Sequence, residues 1–462
     1  MPVSANPYSN TVINSSNFDT IESIDIMLKK TTHAFSSWKN RSVDERKAFF
    51  ITFIQCMQKE KIQLAQQITF EMGKPIKESL SEIEKCIITT QWYIDNIDHL
   101  IDQKLLLINE PSTQSFVKFE PIGCVLGIMP WNFPYWQVFR FAIPTLLMGN
   151  TVLLKHAPNV QGCAKSLENI FRLASFPDDV FLSVFASTED IENIIASPIV
   201  QAVTFTGSEK AGRTVAAIAG KYLKKCVMEL GGSDAFIVLP DADLKKTIKE
   251  GVNARLQNNG QSCIAAKRFI IHTTCYDAFI KGLADEINTL HPGNPMLNTT
   301  DLGPMARTDL KDKLTKQVEQ TIAAGANCYY KHPFNDSDSN FFSPIILENA
   351  PANSPARMDE LFGPVFTCIK AMNESDAIRI ANETSFGLGA SIWTSDIKKG
   401  QDIASKIEAG SVFINGMTRS DARIPFGGIK NSGFGRELSV FGLQEFVNIK
   451  TYWIHSDTTI KQ

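Results

Sequence analysis

The chain has 462 residues, beyond the size at which a single hydrophobic core keeps growing, so two large lobes are expected. A formal net charge of −3, with no block of Lys or Arg, argues against nucleic acid as a partner, and a 44% hydrophobic share supplies ordinary globular cores. Nine cysteines stand singly, without a CxxC pair or a secretory leader, which excludes a complete disulfide framework and fits reduced thiols in a cytoplasm.

The first twenty residues, rich in Ser, Asn and Thr, read as a loose lead-in. From Glu22 to about Leu100, apolar residues recur at helical spacing and predict a helical section. Pro121 to Leu154 is almost uncharged, yet it holds four prolines, Asn132, Arg140 and Asn150, and so reads as buried chain rather than a membrane span. Short β-rich runs at Gly123 to Met129, Thr151 to Lys155, Ala202 to Phe205 and Ala235 to Leu239 alternate with helical stretches. A second set lies at Arg268 to His272, Val365 to Ile369, Gly389 to Trp393 and Ser411 to Asn415. Two α/β lobes built on mostly parallel sheets follow, meeting near residue 230.

Several residues are suited to chemistry. Cys263 sits in the polar segment Gln257-Asn-Asn-Gly-Gln-Ser-Cys rather than in an apolar run, which suits a nucleophile as well as an ordinary loop thiol. Glu229 ends the apolar run Val227-Met-Glu before two glycines; it is either a surface carboxylate or a desolvated general base. Asn132, in Trp131-Asn-Phe-Pro, is either a structural amide or an oxyanion donor. Thr204-Phe-Thr-Gly-Ser opens a helical stretch with Ser208 as its cap, which suits a phosphate or a plain capped surface helix. Lys155 ends a strand and either meets ribose hydroxyls or faces solvent. No HExxH, CxxC or carboxylate pair offers a metal site.

Taken in order, Pro130-Trp-Asn-Phe-Pro, Phe205-Thr-Gly-Ser, Glu229-Leu-Gly-Gly, Gly260-Gln-Ser-Cys, Glu360-Leu-Phe-Gly-Pro and Pro425-Phe-Gly-Gly resemble the aldehyde dehydrogenase superfamily from about residue 20 to 455. The resemblance implies an α/β fold with a Rossmann-like cofactor domain (1–103 and 122–230), an α/β catalytic domain (231–432) and a small β oligomerisation element (104–121 and 433–462). It implies Cys263 as nucleophile, Glu229 as general base, and Asn132 with the Cys263 backbone N–H as oxyanion hole. For NAD or NADP it implies Lys155 at the adenosine ribose, Gly207 and Ser208 at the pyrophosphate, Glu360 at the nicotinamide ribose and Phe362 near the nicotinamide, with Trp131 and Leu230 also at the cofactor. A homodimer or homotetramer acting on a small aldehyde, with no nucleic-acid or membrane partner, is the expected assembly.

Within the family, Leu154-Lys-His-Ala-Pro-Asn-Val and Ser420-Asp-Ala-Arg resemble short bacterial succinate-semialdehyde dehydrogenases. A distal carboxylate wants a fixed cation, and Arg140, eight residues after Asn132, is the expected anchor in a helix lining the substrate tunnel. Better-known relatives carry a second Arg where this chain has Gln257; Arg255 or Arg423 either compensates or is structural. Many NAD-specific relatives also place a Glu where this chain has Pro158, so a 2′-phosphate meets no repulsion here, and a protonated His156 would assist it. Competing readings are another aliphatic aldehyde, resolution of the thioester by coenzyme A, and a non-enzymatic binding module. Retention of Glu229 favours hydrolysis by water.

Overall fold

A computed structural model describes residues 3–101, 104–105, 113–334 and 340–455. The helical section is four helices, Ile21–Trp38, Val43–Lys59, Lys61–Met72 and Ile76–Leu100. The second starts where its sequence says it should: Ser42 accepts from the Glu45 N–H while the Glu45 carboxylate takes the Ser42 N–H, a reciprocal capping box. The lead-in differs from expectation. Val3–Ala5 and Val12–Ser15 pair as an antiparallel ribbon, held by the buried Ser4 hydroxyl, which donates to Glu71 and to the Asn159 carbonyl.

Two sheets organise the rest. The first runs Gly433–Phe434, Lys225–Glu229, Val200–Thr206, Cys124–Met129, Thr151–His156, Phe181–Ser183, parallel throughout except for its first strand. The second runs Asn327–Lys331, Ile345–Glu348, Val365–Ala371, Ala266–His272, Asp234–Val238, Gly389–Trp393, Ser411–Ile414, antiparallel only at its first pair. Helices cover the central strands, so these read as continuous apolar runs such as Val152 to Leu154, fully buried. The helix Trp136–Leu147 lies so close to the first sheet that a Cβ on Gly127 would stand 2.1 Å from the Phe141 ring. Every residue of that helix is buried.

A separate three-stranded sheet joins Val447–His455, Thr113–Pro121 and Lys104–Leu105, with Val447 opposite Pro121 and His455 opposite Thr113. These are the expected oligomerisation segments, of which 106–112 and 456–462 lie outside the described residues, as do 1–2 and 102–103 of the expected cofactor domain. Gly433–Phe434, expected in that element, instead extends the first sheet, because Met228 and Glu229 present an open edge there. Among the described residues no helix is long and apolar enough to cross a membrane.

Candidate active site

The loop before Cys263 is built by left-handed backbone. Asn258, Asn259 and Gly260 have φ of 57°, 55° and 77°, and a Cβ on Gly260 would stand 2.5 Å from the Gly363 backbone. Asparagine and glycine are the residues that reach this conformation at least cost. The asparagine amides repay it with contacts: Asn258 Nδ2 donates to the carbonyls of Asn132 (2.7 Å) and Gln261 (3.0 Å), and Asn259 links to Pro304 O and Gly303 N. Beyond the thiol, the buried Lys267 ammonium donates to the carbonyls of Ser262 (2.9 Å) and Cys263 (2.7 Å). The backbone carrying Cys263 is thus clamped from both sides.

A cavity of about 180 Å³ opens on the thiol and gathers Trp131, Asn132, Gly207, Ser208, Leu230, Glu360 and Phe362 around Cys263. These residues, scattered over more than two hundred positions, share one space, whereas Glu229 and Lys155 do not line it. Asn132 Nδ2 spends one proton on the Gln261 carbonyl (3.1 Å), leaving its second free. The Cys263 backbone N–H has no acceptor among the described residues. Asn132 and Cys263 line the same cavity, so two donors with no acceptor for these protons among the described residues belong to its wall. Trp131 and Phe362 meet edge to face with centroids 6.0 Å apart. Glu360 accepts from Gly232 N (3.1 Å) and lies 3.5 Å from the Lys267 ammonium.

Burial pushes the Cys263 thiol up to about 12, against the pull of the Arg140 and Lys267 cations. Burial, and next the neighbouring Glu437 carboxylate, push Glu229 well above the usual carboxylate range. Glu229 Oε1 is buried without a hydrogen-bond partner, against Gly427. A raised pKa and an open lone pair are the properties a general base needs.

Lys155 lies half-buried at the C-terminal end of Thr151–His156, and its ammonium has no partner among the described residues. Ser208 caps the helix Glu209–Lys221, with Oγ accepting from Ala211 N at 3.4 Å. Lys155 and the helix start after Phe205 stand at the same end of the first sheet, both strands pairing at Ile128, and cations and free helix-start N–H groups suit the phosphates and hydroxyls of a dinucleotide. His156 does not add to it. Its Nε2 sits 2.8 Å from Pro134 O, its Nδ1 accepts from Ala157 N, and burial pulls it down to about 4, so it is neutral and turned away. Among the described residues no cluster of His, Cys, Asp or Glu is placed to hold a metal.

Arg140 departs from its expected role as a free anchor. It is fully buried, lines neither cavity at the site, and its Nε lies 2.7 Å from Glu437, with the guanidinium 4.6 Å from the Phe426 ring centroid. Its charge instead tunes Glu229 and Cys263. Arg140→Met should move half-maximal alkylation of Cys263 by iodoacetamide to higher pH and lower the melting temperature, because an orphaned Glu437 costs about 3–5 kcal/mol. An unchanged alkylation profile would refute the tuning role. Arg255 is structural, donating to the carbonyls of Ala266, Leu361 and Gly363. Arg423 is exposed and paired with Asp421 at 2.6 Å.

A second cavity, of about 490 Å³, lies on the other side of the Trp131–Gln137 segment: Asn132 and Gln137 line the first, Phe133 and Trp136 the second. Gln257 lines it. Sequence reasoning missed Lys267 and Asn258. The signal for Lys267 was a basic pair, Lys267-Arg268, opening a run that is otherwise apolar, since buried cations need partners.

Residues 3–452 match the profile of the Aldehyde dehydrogenase family. A Synechocystis protein named probable succinate-semialdehyde dehydrogenase [NADP(+)] is 44% identical, over 93% of this chain and 94% of its own. The Escherichia coli strain K12 succinate semialdehyde dehydrogenase [NAD(P)+] Sad is 40% identical, over 98% and 97%. Among solved structures, the Streptococcus pyogenes succinic semialdehyde dehydrogenase in complex with NADP+ superposes with a TM-score of 0.96 at 33% identity, covering 99% of this chain and 100% of that one.

Proposed function

The chain belongs to the aldehyde dehydrogenase family, and from that premise we propose that it oxidises succinate semialdehyde, or a similarly short aldehyde, to the carboxylic acid with NAD+ or NADP+. The observation that carries the reading is the cavity that Cys263 and Asn132 line together, with an Asn132 amide proton and the Cys263 N–H left without acceptors among the described residues. Cys263 loses its proton and its sulfur adds to the aldehyde carbon, while Asn132 and the Cys263 N–H receive the developing oxyanion. The hemithioacetal on Cys263 then gives up its C–H as hydride, leaving a thioester. Glu229 takes a proton from the water that cleaves this thioester and frees the acid.

When bound, the dinucleotide supplies the hydride acceptor. Lys155 would take the adenosine ribose, Gly207 and Ser208 the pyrophosphate, Glu360 the nicotinamide ribose, and Trp131, Leu230 and Phe362 would flank the nicotinamide. Pro158 begins a short 3₁₀ turn and brings no carboxylate to this region, so NADP+ is admitted alongside NAD+. Ile449, Trp453 and Ile454 leave exposed apolar surface on the strand Val447–His455, which supports pairing of copies into a homodimer or homotetramer through the small sheet. Nine free cysteines support a cytoplasmic setting.

The test is formation of reduced cofactor by purified protein with succinate semialdehyde, glutarate semialdehyde and hexanal, each with NAD+ and NADP+. A higher kcat/KM for the carboxylated aldehydes is expected. Preference for hexanal would overturn the substrate reading and leave the Cys263 chemistry standing.

A further inference from the structure

The helix Ile76–Leu100 reaches from the N-terminal section to the site at two points. Its Glu82 carboxylate accepts from Tyr135 N (2.9 Å) and Trp136 N (3.0 Å), just after Asn132, and is held there by the buried Lys74 ammonium. One turn earlier the half-buried Glu78 accepts from Asn258 N at 2.7 Å, across 180 positions of chain.

From Asn258 a path of hydrogen bonds leads to the open donor of the site. The Asn258 amide spends both Nδ2 protons, one on Asn132 O at 2.7 Å and one on Gln261 O at 3.0 Å. Gln261 O also accepts from Asn132 Nδ2 at 3.1 Å, so its two lone pairs are filled and Asn132 is held by carbonyl and side chain at once. An amide group is planar, and with one Nδ2 proton committed to Gln261 O the direction of the other is fixed. That direction depends on where Asn258 stands, and Glu78 holds the Asn258 backbone. A carboxylate is the stronger kind of acceptor for such an N–H.

We infer that Glu78 is a positioning residue for the oxidation: by holding Asn258 it aims the free Asn132 proton at the oxygen of the reacting carbonyl. This rests on the proposed chemistry of Cys263 and Asn132. A mispointed donor weakens the transition state more than the bound aldehyde, so the loss of Glu78 belongs in kcat rather than KM.

The test crosses Glu78→Ala with Asn132→Ala and reads single-turnover formation of reduced cofactor from succinate semialdehyde and NADP+, with melting temperature as the check on folding. Glu78→Ala should slow this step by about 10-fold, a part of the roughly 100-fold or greater loss expected on removing the donor itself, and leave KM within about 2-fold. Glu78→Gln should restore most of the rate, since a carboxamide oxygen still accepts from Asn258 N. In the Asn132→Ala background, Glu78→Ala should cost less than about 2-fold, because the donor it aims is gone. Asn258→Gly cuts the same path one link further on and keeps the left-handed backbone, so it repeats the test should Glu78→Ala protein not fold. A wild-type rate in folded Glu78→Ala or Asn258→Gly protein, or an equal loss with and without Asn132, overturns the inference while the proposed function stands. An Asn132→Ala enzyme as fast as wild type overturns the oxyanion reading and the inference with it.

Discussion

Cys263→Ala protein should lose aldehyde oxidation by at least about 1,000-fold while binding NAD+ and NADP+ as tightly as the parent. The separation is expected because the thiol and its frame are held independently. Lys267 grips the carbonyls of Ser262 and Cys263, and Asn258 grips those of Asn132 and Gln261, so removing one sulfur leaves the loop and cavity in place. No other thiol lines the cavity at the site, the half-buried Cys56 and Cys226 included. Cys86, Cys124, Cys163, Cys275 and Cys368 are buried, and Cys328 lies on an edge strand of the second sheet. Single-turnover formation of reduced cofactor measures the first effect, and calorimetric titration with each dinucleotide the second. Turnover within about 10-fold of wild type would place the covalent step elsewhere.

Much of this site was legible in the residues because its chemistry is local. The loop around Cys263 needs left-handed backbone, and Asn-Asn-Gly announces it; the capped helix after Gly207 and the apolar strands of both sheets follow from short-range patterns. What stayed hidden depends on partners distant in sequence. Arg140 reads as a free cation until Glu437, nearly three hundred residues later, is folded against it. His156 reads as a possible phosphate ligand until Pro134 O and burial neutralise it. Glu78 lies in an unremarkable amphipathic helix, and only the fold brings Asn258 to it. The N-terminal ribbon was missed for the same reason: its polar residues carry no strand pattern, and Glu71 and the Asn159 carbonyl supply what Ser4 needs.

Glu229→Gln protein should produce a burst of about one equivalent of reduced cofactor per active site and then turn over roughly 100-fold or more below wild type. Thiol addition and hydride loss need Cys263, Asn132 and the dinucleotide, all untouched by this change, so the thioester forms. Its hydrolysis needs a base, and a carboxamide cannot accept the water's proton. The pH dependence has a definite sign. Burial and the Glu437 charge raise the Glu229 pKa, so the carboxylate form that can act as base exists only above that raised value and is lost as pH falls through it. Wild-type turnover limited by hydrolysis should therefore climb as pH rises through that raised value, and Glu229→Gln should lack this limb while keeping the burst. Hydroxylamine, itself a nucleophile, should release the stalled acyl group without a protein base. A variant with neither burst nor hydroxylamine-sensitive acyl group would mean that Glu229 acts before the thioester, on the Cys263 thiol. In that case the raised thiol pKa of about 12 identifies the proton it removes.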